Sequence, residues 1–255
     1  MNPRHFHHAL VCPPGLGFAL GLTTAELGPP DLEQALAQHR DYCAALEDAG
    51  LSLIHMTPDP AYPDGTFVED PAVILGDVVI PTRPGAPSRS GEVEAVVAAL
   101  PAGLERSPLA WGTLDGGDVL VADGTVHIGR SARTNRVGAR ALAGAAEDLG
   151  YRTAEIPVTG GLHLKTGVTA IGPGALIMTS DYNGTPEFSA FDRIVVPEEE
   201  RYAANCLWIR DRILMPAGFP RTWRRLLARG HRVVEVEMSE FRKLDGGLTC
   251  LSLRW

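Results

Sequence analysis

At 255 residues the chain is long enough to bury a sizeable core, and its formal net charge of −8 argues against a nucleic-acid partner, which would call for a basic patch. Hydrophobic content of 45% with 21% charged residues is ordinary globular usage and excludes extensive disorder. No apolar run is long enough to cross a bilayer, MNPRHFHH lacks the charged-then-apolar pattern of a secretory signal, and no composition break marks a linker, so a single cytoplasmic domain over residues 1–255 is expected.

The chain opens with HFHHALVC, a short strand candidate in which His5, His7 and His8 read as a solvated cluster in preference to a metal site. After the Gly-rich segment PPGLGFALGLT, a helix begins at Pro30 and Asp31 and leads into the strand LSLIHMTP. FVEDPAVILGDVVIPTR reads as two strands, followed by the helix GEVEAVVAAL after Gly91. LDGGDVLVADGTVHIGRS is a hairpin turning at Asp123 and Gly124. TNRVGARALAGAAEDLG is the best helix, with Thr134 or Asn135 to cap it and Gly150 to end it, and the strand YRTAEIPV follows. LHLKTGVTAIGPGALIMTS reads as a further strand pair, but DYNGTPEFSAFDRIVVP offers no long helix. ANCLWIRDRILMPAG, then PRTWRRLLARGHRVVEVEMSEF, restore the strand pair and the helix-then-strand pattern, and LTCLSLRW closes the chain.

These segments repeat. Units begin at Phe67, Leu114, Leu162, Asn205 and Leu248, a spacing of roughly 45 residues within the range of propellers and arrays. A linear array would expose edge strands at both ends, whereas a ring would not. The last unit lacks its later strands, and HFHHALVC is expected to supply one, bringing residues near Ala9 beside Leu251. Loops that converge on the axis of such a ring would gather Asp70, Asp115, His163 and Cys250.

The four cysteines lack a Cys-x-x-Cys pair, which argues against a structural zinc site. Cys12 aside, Cys43 among alanines and Cys206 in an apolar strand read as buried thiols. Cys250 differs, because Gly246 and Gly247 before it permit close approach of a ligand. His163 follows Gly160 and Gly161, stands on one strand face with Lys165, and is placed by the repeat in register with Cys250. Glu69 and Asp70 lead an apolar strand, Asp64 lies in the turn before them, and Asp115 and Asp118 flank Gly116 and Gly117. Acids entering an apolar strand require a compensating cation, since an unpaired buried carboxylate costs several kcal/mol. A thiol, an imidazole and paired acids together point to a thiol-dependent hydrolase.

FVEDPAVI, LDGGDVL, SARTNRVGA, LHLKTGV, ANCLWI, MPAGFPRT and KLDGGLTCLSLRW, in that order along nearly the whole chain, resemble the dimethylarginine dimethylaminohydrolases of the guanidino-modifying (pentein) superfamily. The resemblance implies a five-bladed α/β propeller with pseudo-fivefold symmetry and hydrolysis of asymmetric dimethylarginine and monomethylarginine to citrulline and a methylamine. It implies no cofactor and a small-molecule partner, and it admits a homodimer. Cys250 would be the nucleophile, His163 the general acid and base, and Asp115 its acidic partner, where some relatives carry Glu. Asp70 and Glu69, with Asp64 near them, would engage the guanidinium, and Arg89 and Arg133 the α-carboxylate. Leu244 would contact substrate through its backbone, and Phe18 would be a lid residue, a position where relatives often carry leucine.

Those residue types suit the chemistry. A guanidinium has a pKa above ~12 and resists attack by water, so carboxylates must grip it and fix its carbon against a thiolate. Three rivals use the same scaffold: arginine deiminase, whose cysteine context differs from LDGGLTC; amidinotransferases, with longer chains; and a noncatalytic ribosome-binding module, which would lack one of the three groups.

Overall fold

The computed structural model describes residues 6–255, and His5 lies outside them. Five three-stranded sheets account for all fifteen strands among the described residues, and each follows one plan. The first strand pairs antiparallel with the second, and the third, reached by a crossover, pairs parallel with the second.

The unit that opens at Leu114 shows the local logic. Strand β6 (Val119–Ala122) turns at Asp123 and Gly124, both with positive φ (47° and 74°), into β7 (Thr125–Arg130), as a two-residue hairpin of the mirrored turn type demands. Helix α3 (Arg136–Asp148) is capped by the Asn135 side chain, which accepts from the Gly138 N–H, and β8 (Arg152–Pro157) returns beside β7. Of the two candidate caps, Asn135 takes the role. Thr134 is used elsewhere, donating to Asp118.

The same plan gives β3 (Ala72–Leu75), β4 (Val78–Pro81), α2 (Glu92–Ala99) and β5 (Glu105–Arg106). It also gives β12 (Leu207–Ile209), β13 (Arg212–Pro216), α5 (Pro220–Ala228) and β14 (Arg232–Val236). The unit of β9 (Val168–Gly172), β10 (Ala175–Met178) and β11 (Asp192–Val195) crosses over through two one-turn segments, Ser180–Tyr182 and Pro186–Phe188, in place of a long helix.

The fifth sheet closes the ring. β1 (His8–Val11) is its middle strand, antiparallel to β15 (Ser252–Arg254) with Ala9 opposite Arg254 and Val11 opposite Ser252. Helix α1 (Leu32–Asp48), capped by Asp31, leads to β2 (Ser52–His55), parallel to β1. Each chain end thus satisfies an edge that the other would expose. Contacts of β9 with β12 and β6, and of β15 with β3, set the first strands side by side around the axis. Apolar clusters lie between the sheets and their helices, as in the packing of Tyr42 and Leu46 on α1 against Phe241 and Leu214.

Candidate active site

The turns that precede the first strands carry the chemistry. Asp70 lies two residues before β3, Asn205 two before β12 and Cys250 two before β15. His163 lies five residues before β9, so it is not the repeat equivalent of Cys250. Nor is His163 on a strand. It caps a one-turn helix, α4 (Leu164–Gly167), with its backbone N–H donated to the Thr166 hydroxyl and its carbonyl accepting from the Thr166 N–H. Gly161, at φ +85°, makes the turn into it. This conformation sends His163 and Lys165 to different surroundings.

His163 and Cys250 line one cleft with Asp70, Asp64, Arg89 and Arg133. Leu22, Phe67, Leu162, Leu244, Asp245 and Gly246 complete its wall. The imidazole is bracketed: Nε2 lies 2.9 Å from Asp115 Oδ2 and Nδ1 lies 4.0 Å from Asp70 Oδ1. Asp115, fully buried, holds its place through the Gly85 N–H at 2.7 Å. Gly117 has to be glycine, because a Cβ there would come within 2.6 Å of His163 Nδ1 and 2.8 Å of Asp70 Oδ1. Its N–H donates to that same Asp70 oxygen.

Charge sets the protonation states. Burial pulls His163 down, but the charge of Asp70, the hydrogen bond to Asp115 and the charges of Asp118 and Asp115 outweigh it, and its pKa rises to about 9. Burial also works against the Asp70 carboxylate, and His163, Arg89 and the Gly117 N–H overcome it, holding Asp70 at about 2. Burial first, then the negative charges of Glu69 and Asp70, push the Cys250 thiol up to about 12, against which the Gly247 N–H and Lys165 act weakly. At neutral pH the cleft therefore holds an imidazolium and a neutral thiol.

Several expected contacts take other forms. Glu69 does not line this cleft; its Oε1 pairs with Lys165 Nζ at 2.6 Å and Arg254 Nη2 at 2.8 Å, and those two are the cation compensation that its burial requires. Arg89 is buried and largely committed: Nε and Nη2 bind Glu92, Nη2 also donates to the Phe67 carbonyl, and Nη1 donates to Asp70 Oδ2 at 2.5 Å, leaving one N–H of Nη1. Arg133 is freer, with Nη1 3.6 Å from Asp115 Oδ2. Phe18 is fully buried against Phe67 and Phe241, and Leu22, 40% exposed, takes the place over the cleft. The Leu22 N–H donates to Asp64 Oδ1, and burial raises the Asp64 pKa against the opposing pull of Arg89 and that hydrogen bond. Gly246 and Gly247 make room for protein groups, since side chains there would strike Phe67 and Asn205.

Sequence reasoning missed Asp245, Asn205 and Arg254. Asp245 has φ +58° on the cleft wall and accepts from the Thr24 N–H, which ties down the segment carrying Leu22. Asp118, seen only as a turn acid, accepts from Leu164 N and from Ser131 and Thr134, and so joins the His163 turn to the loop of Arg133. Asp70, Asp115 and His163 offer ligand atoms within 4.8 Å of one another, the metal-compatible cluster found among the described residues. An ion there would have to displace the His163–Asp115 and Arg89–Asp70 contacts. His7 lies 3.4 Å from an Arg210 nitrogen and His8 stacks on Trp255.

No family model matches the chain. It is similar to N(G),N(G)-dimethylarginine dimethylaminohydrolase of Pseudomonas aeruginosa, 41% identical over 98% of this chain and 100% of that one. The protein of the same name from Streptomyces coelicolor is 40% identical over 96% of each chain. A solved structure of the Pseudomonas aeruginosa enzyme, a cysteine-to-serine variant complexed with citrulline, superposes with a TM-score of 0.95 at 39% identity over 98% of this chain and 99% of that one. The N-terminal domain of a cyanobacterial arginine dihydrolase, 21% identical over 97% of this chain and 96% of that one, shares the fold at a TM-score of 0.86. Full-length identity at this level and five sheets on one pentein plan lead to one assignment: the chain belongs to the dimethylarginine dimethylaminohydrolase family.

Proposed function

We infer that the chain hydrolyses N-methylated arginines, asymmetric dimethylarginine and monomethylarginine, to citrulline and dimethylamine or methylamine. The observation that carries this reading is the meeting of Cys250, an Asp115-paired His163 and Asp70 in one cleft. Relatives named N(G),N(G)-dimethylarginine dimethylaminohydrolase match the chain over nearly its whole length.

Asp70, already anchored by Arg89 and Gly117, presents a fixed anion to the planar guanidinium and holds its carbon before Cys250. Arg133 and the remaining N–H of Arg89 take the α-carboxylate, and Asp64 with the Leu244 carbonyl takes the α-ammonium. Bonds from Leu22 to Asp64 and from Thr24 to Asp245 hold the Leu22 segment at the cleft wall, against the bound substrate. An arriving guanidinium brings positive charge to a thiol that two acids suppress, and so favours loss of its proton to solvent as substrate binds.

The thiolate then forms a C–S bond to the guanidinium carbon. As the C–N bond to the methylated nitrogen breaks, His163 gives its proton to the departing amine, leaving an S-alkylthiouronium on Cys250. The imidazole, now neutral, takes a proton from water as the oxygen attacks that carbon. The C–S bond breaks with its electron pair going to sulfur, and the remaining O–H proton passes to that thiolate, so that neutral citrulline and the thiol are released. Asp115 fixes the ring and stabilises its charged form in both half-reactions.

The test is citrulline release from asymmetric dimethylarginine, monomethylarginine and arginine in parallel. Release from the two methylated substrates is expected. Equal or better use of arginine would favour a deiminase instead.

A further inference from the structure

Nucleophile and base come from different units of the ring, so something must fix their separation. Between those two units lies the unit of β12, and its leading residue, Asn205, is 3% exposed. Its carboxamide is fully engaged. Nδ2 donates to the Lys165 carbonyl at 2.8 Å, two residues after His163, and to Thr249 Oγ1 at 3.1 Å, the residue before Cys250. Oδ1 accepts from the Thr249 N–H at 3.0 Å. One planar group thus grips both turns, across separations of 40 and 44 residues.

The surroundings hold the amide still. Thr169 Oγ1 donates to the Ala204 carbonyl and accepts from the Cys206 N–H, pinning the backbone on each side of Asn205 to β9. Gly247 stands so close that a Cβ there would lie 2.5 Å from Asn205 Oδ1. The glycine before the nucleophile turn is therefore required by the amide beside it.

We propose that Asn205 is a positioning residue for the hydrolysis: its carboxamide sets the distance between the His163 turn and the Cys250 turn, so that base and nucleophile address one substrate carbon. The proposal rests on the hydrolase reading given above. An amide suits the task because it supplies two donors and one acceptor in a single plane. Aspartate in its place would set an oxygen against the Lys165 carbonyl and a negative charge near the thiol. Asn205 touches neither sulfur nor imidazole, and a displacement of about 1 Å in such a site costs on the order of 10²-fold in rate.

The experiment compares Asn205→Ala and Asn205→Asp with wild type in citrulline release, with thermal unfolding and citrulline binding measured on the same samples. A kcat lower by about 10²-fold, with KM and citrulline binding within about threefold of wild type, is expected, because the binding groups are untouched. Thr249→Val, which loses one hydrogen bond, should cost less than about tenfold. Should Asn205→Ala fail to fold, Gly247→Ala tests the same point by crowding the amide without removing its bonding groups, and the same loss in kcat is expected. Folded variants with wild-type kcat, or with kcat and binding lost in equal measure, would overturn the proposal. Failure of wild type to release citrulline would instead strike the hydrolase reading.

Discussion

Glu69 and Asp70 are adjacent acids in the turn before the same strand, yet they serve two different cavities. Asp70 faces the cleft of Cys250 and His163. Glu69 faces a chamber between the first strands, walled by apolar residues of β3, β6 and β9, with Lys165 and Arg254 as its cations. Both carboxylates are buried and both are paired. The cleft acid is met on one oxygen by Arg89 and on the other by the Gly117 N–H, whereas the chamber acid is met on one oxygen by two side chains of the protein. Burial and pairing alone therefore do not mark a binding carboxylate; the cavity it faces does.

The comparison can be broken at several points. Cys250→Ser should reduce turnover by more than about 10⁴-fold while methylarginine binding persists, measured by citrulline release and equilibrium binding. Wild-type citrulline production by that variant would remove the cleft's nucleophile. Asp70→Asn should lower kcat/KM by about 10³-fold, since it weakens both the Arg89 pair and the guanidinium contact. Glu69→Gln should act on stability instead, by about 3 kcal/mol in urea unfolding, because it strands Lys165 and Arg254, with KM near wild type. If the two variants exchanged these effects, the division between the cavities would be wrong.

Titration sharpens the same contrast. His163 has a folded pKa raised to about 9 from an ordinary 6.5, so its contribution to stability is complete below pH 6.5 and is lost as pH rises through 9. The loss should be about 3 kcal/mol, seen as a falling urea midpoint across that window. His163→Gln should flatten it, and an unchanged slope in that variant would contradict the Asp70 and Asp115 pairing. The smallest effect is expected at the rim: Arg133→Ala should raise KM about tenfold with less change in kcat, as for loss of one charged hydrogen-bonding partner.

Much of this was legible in the chain. The hairpin at Asp123 and Gly124, the cap at Asp31, the missing helix before β11 and the closure of β1 on β15 each follow from local turn chemistry or from an edge needing a partner. Cys250, His163 and Asp115 were named by residue type, motif and resemblance, and the fold places them together. The direction of Glu69 was not legible, because its partner Arg254 lies 185 residues away. His163 was misplaced on a strand, since an apolar run of LHLKTGV does not reveal the Thr166 capping that turns it into a helix start. Phe18 and Leu22 share one Gly-rich run, and only packing decides that the phenylalanine joins Phe67 and Phe241 in the core.

Sequence by itself determined the repeat, the ring and the inventory of a thiol, an imidazole and acids, because hydrophobic period, turn residues and side-chain chemistry are local properties. Tertiary structure alone decided which acid faces the cleft, which arginine is already committed and which amide spans two turns. Those outcomes depend on groups brought within about 3 Å of one another from distant units, where hydrogen-bond geometry discriminates between neighbours that sequence treats alike.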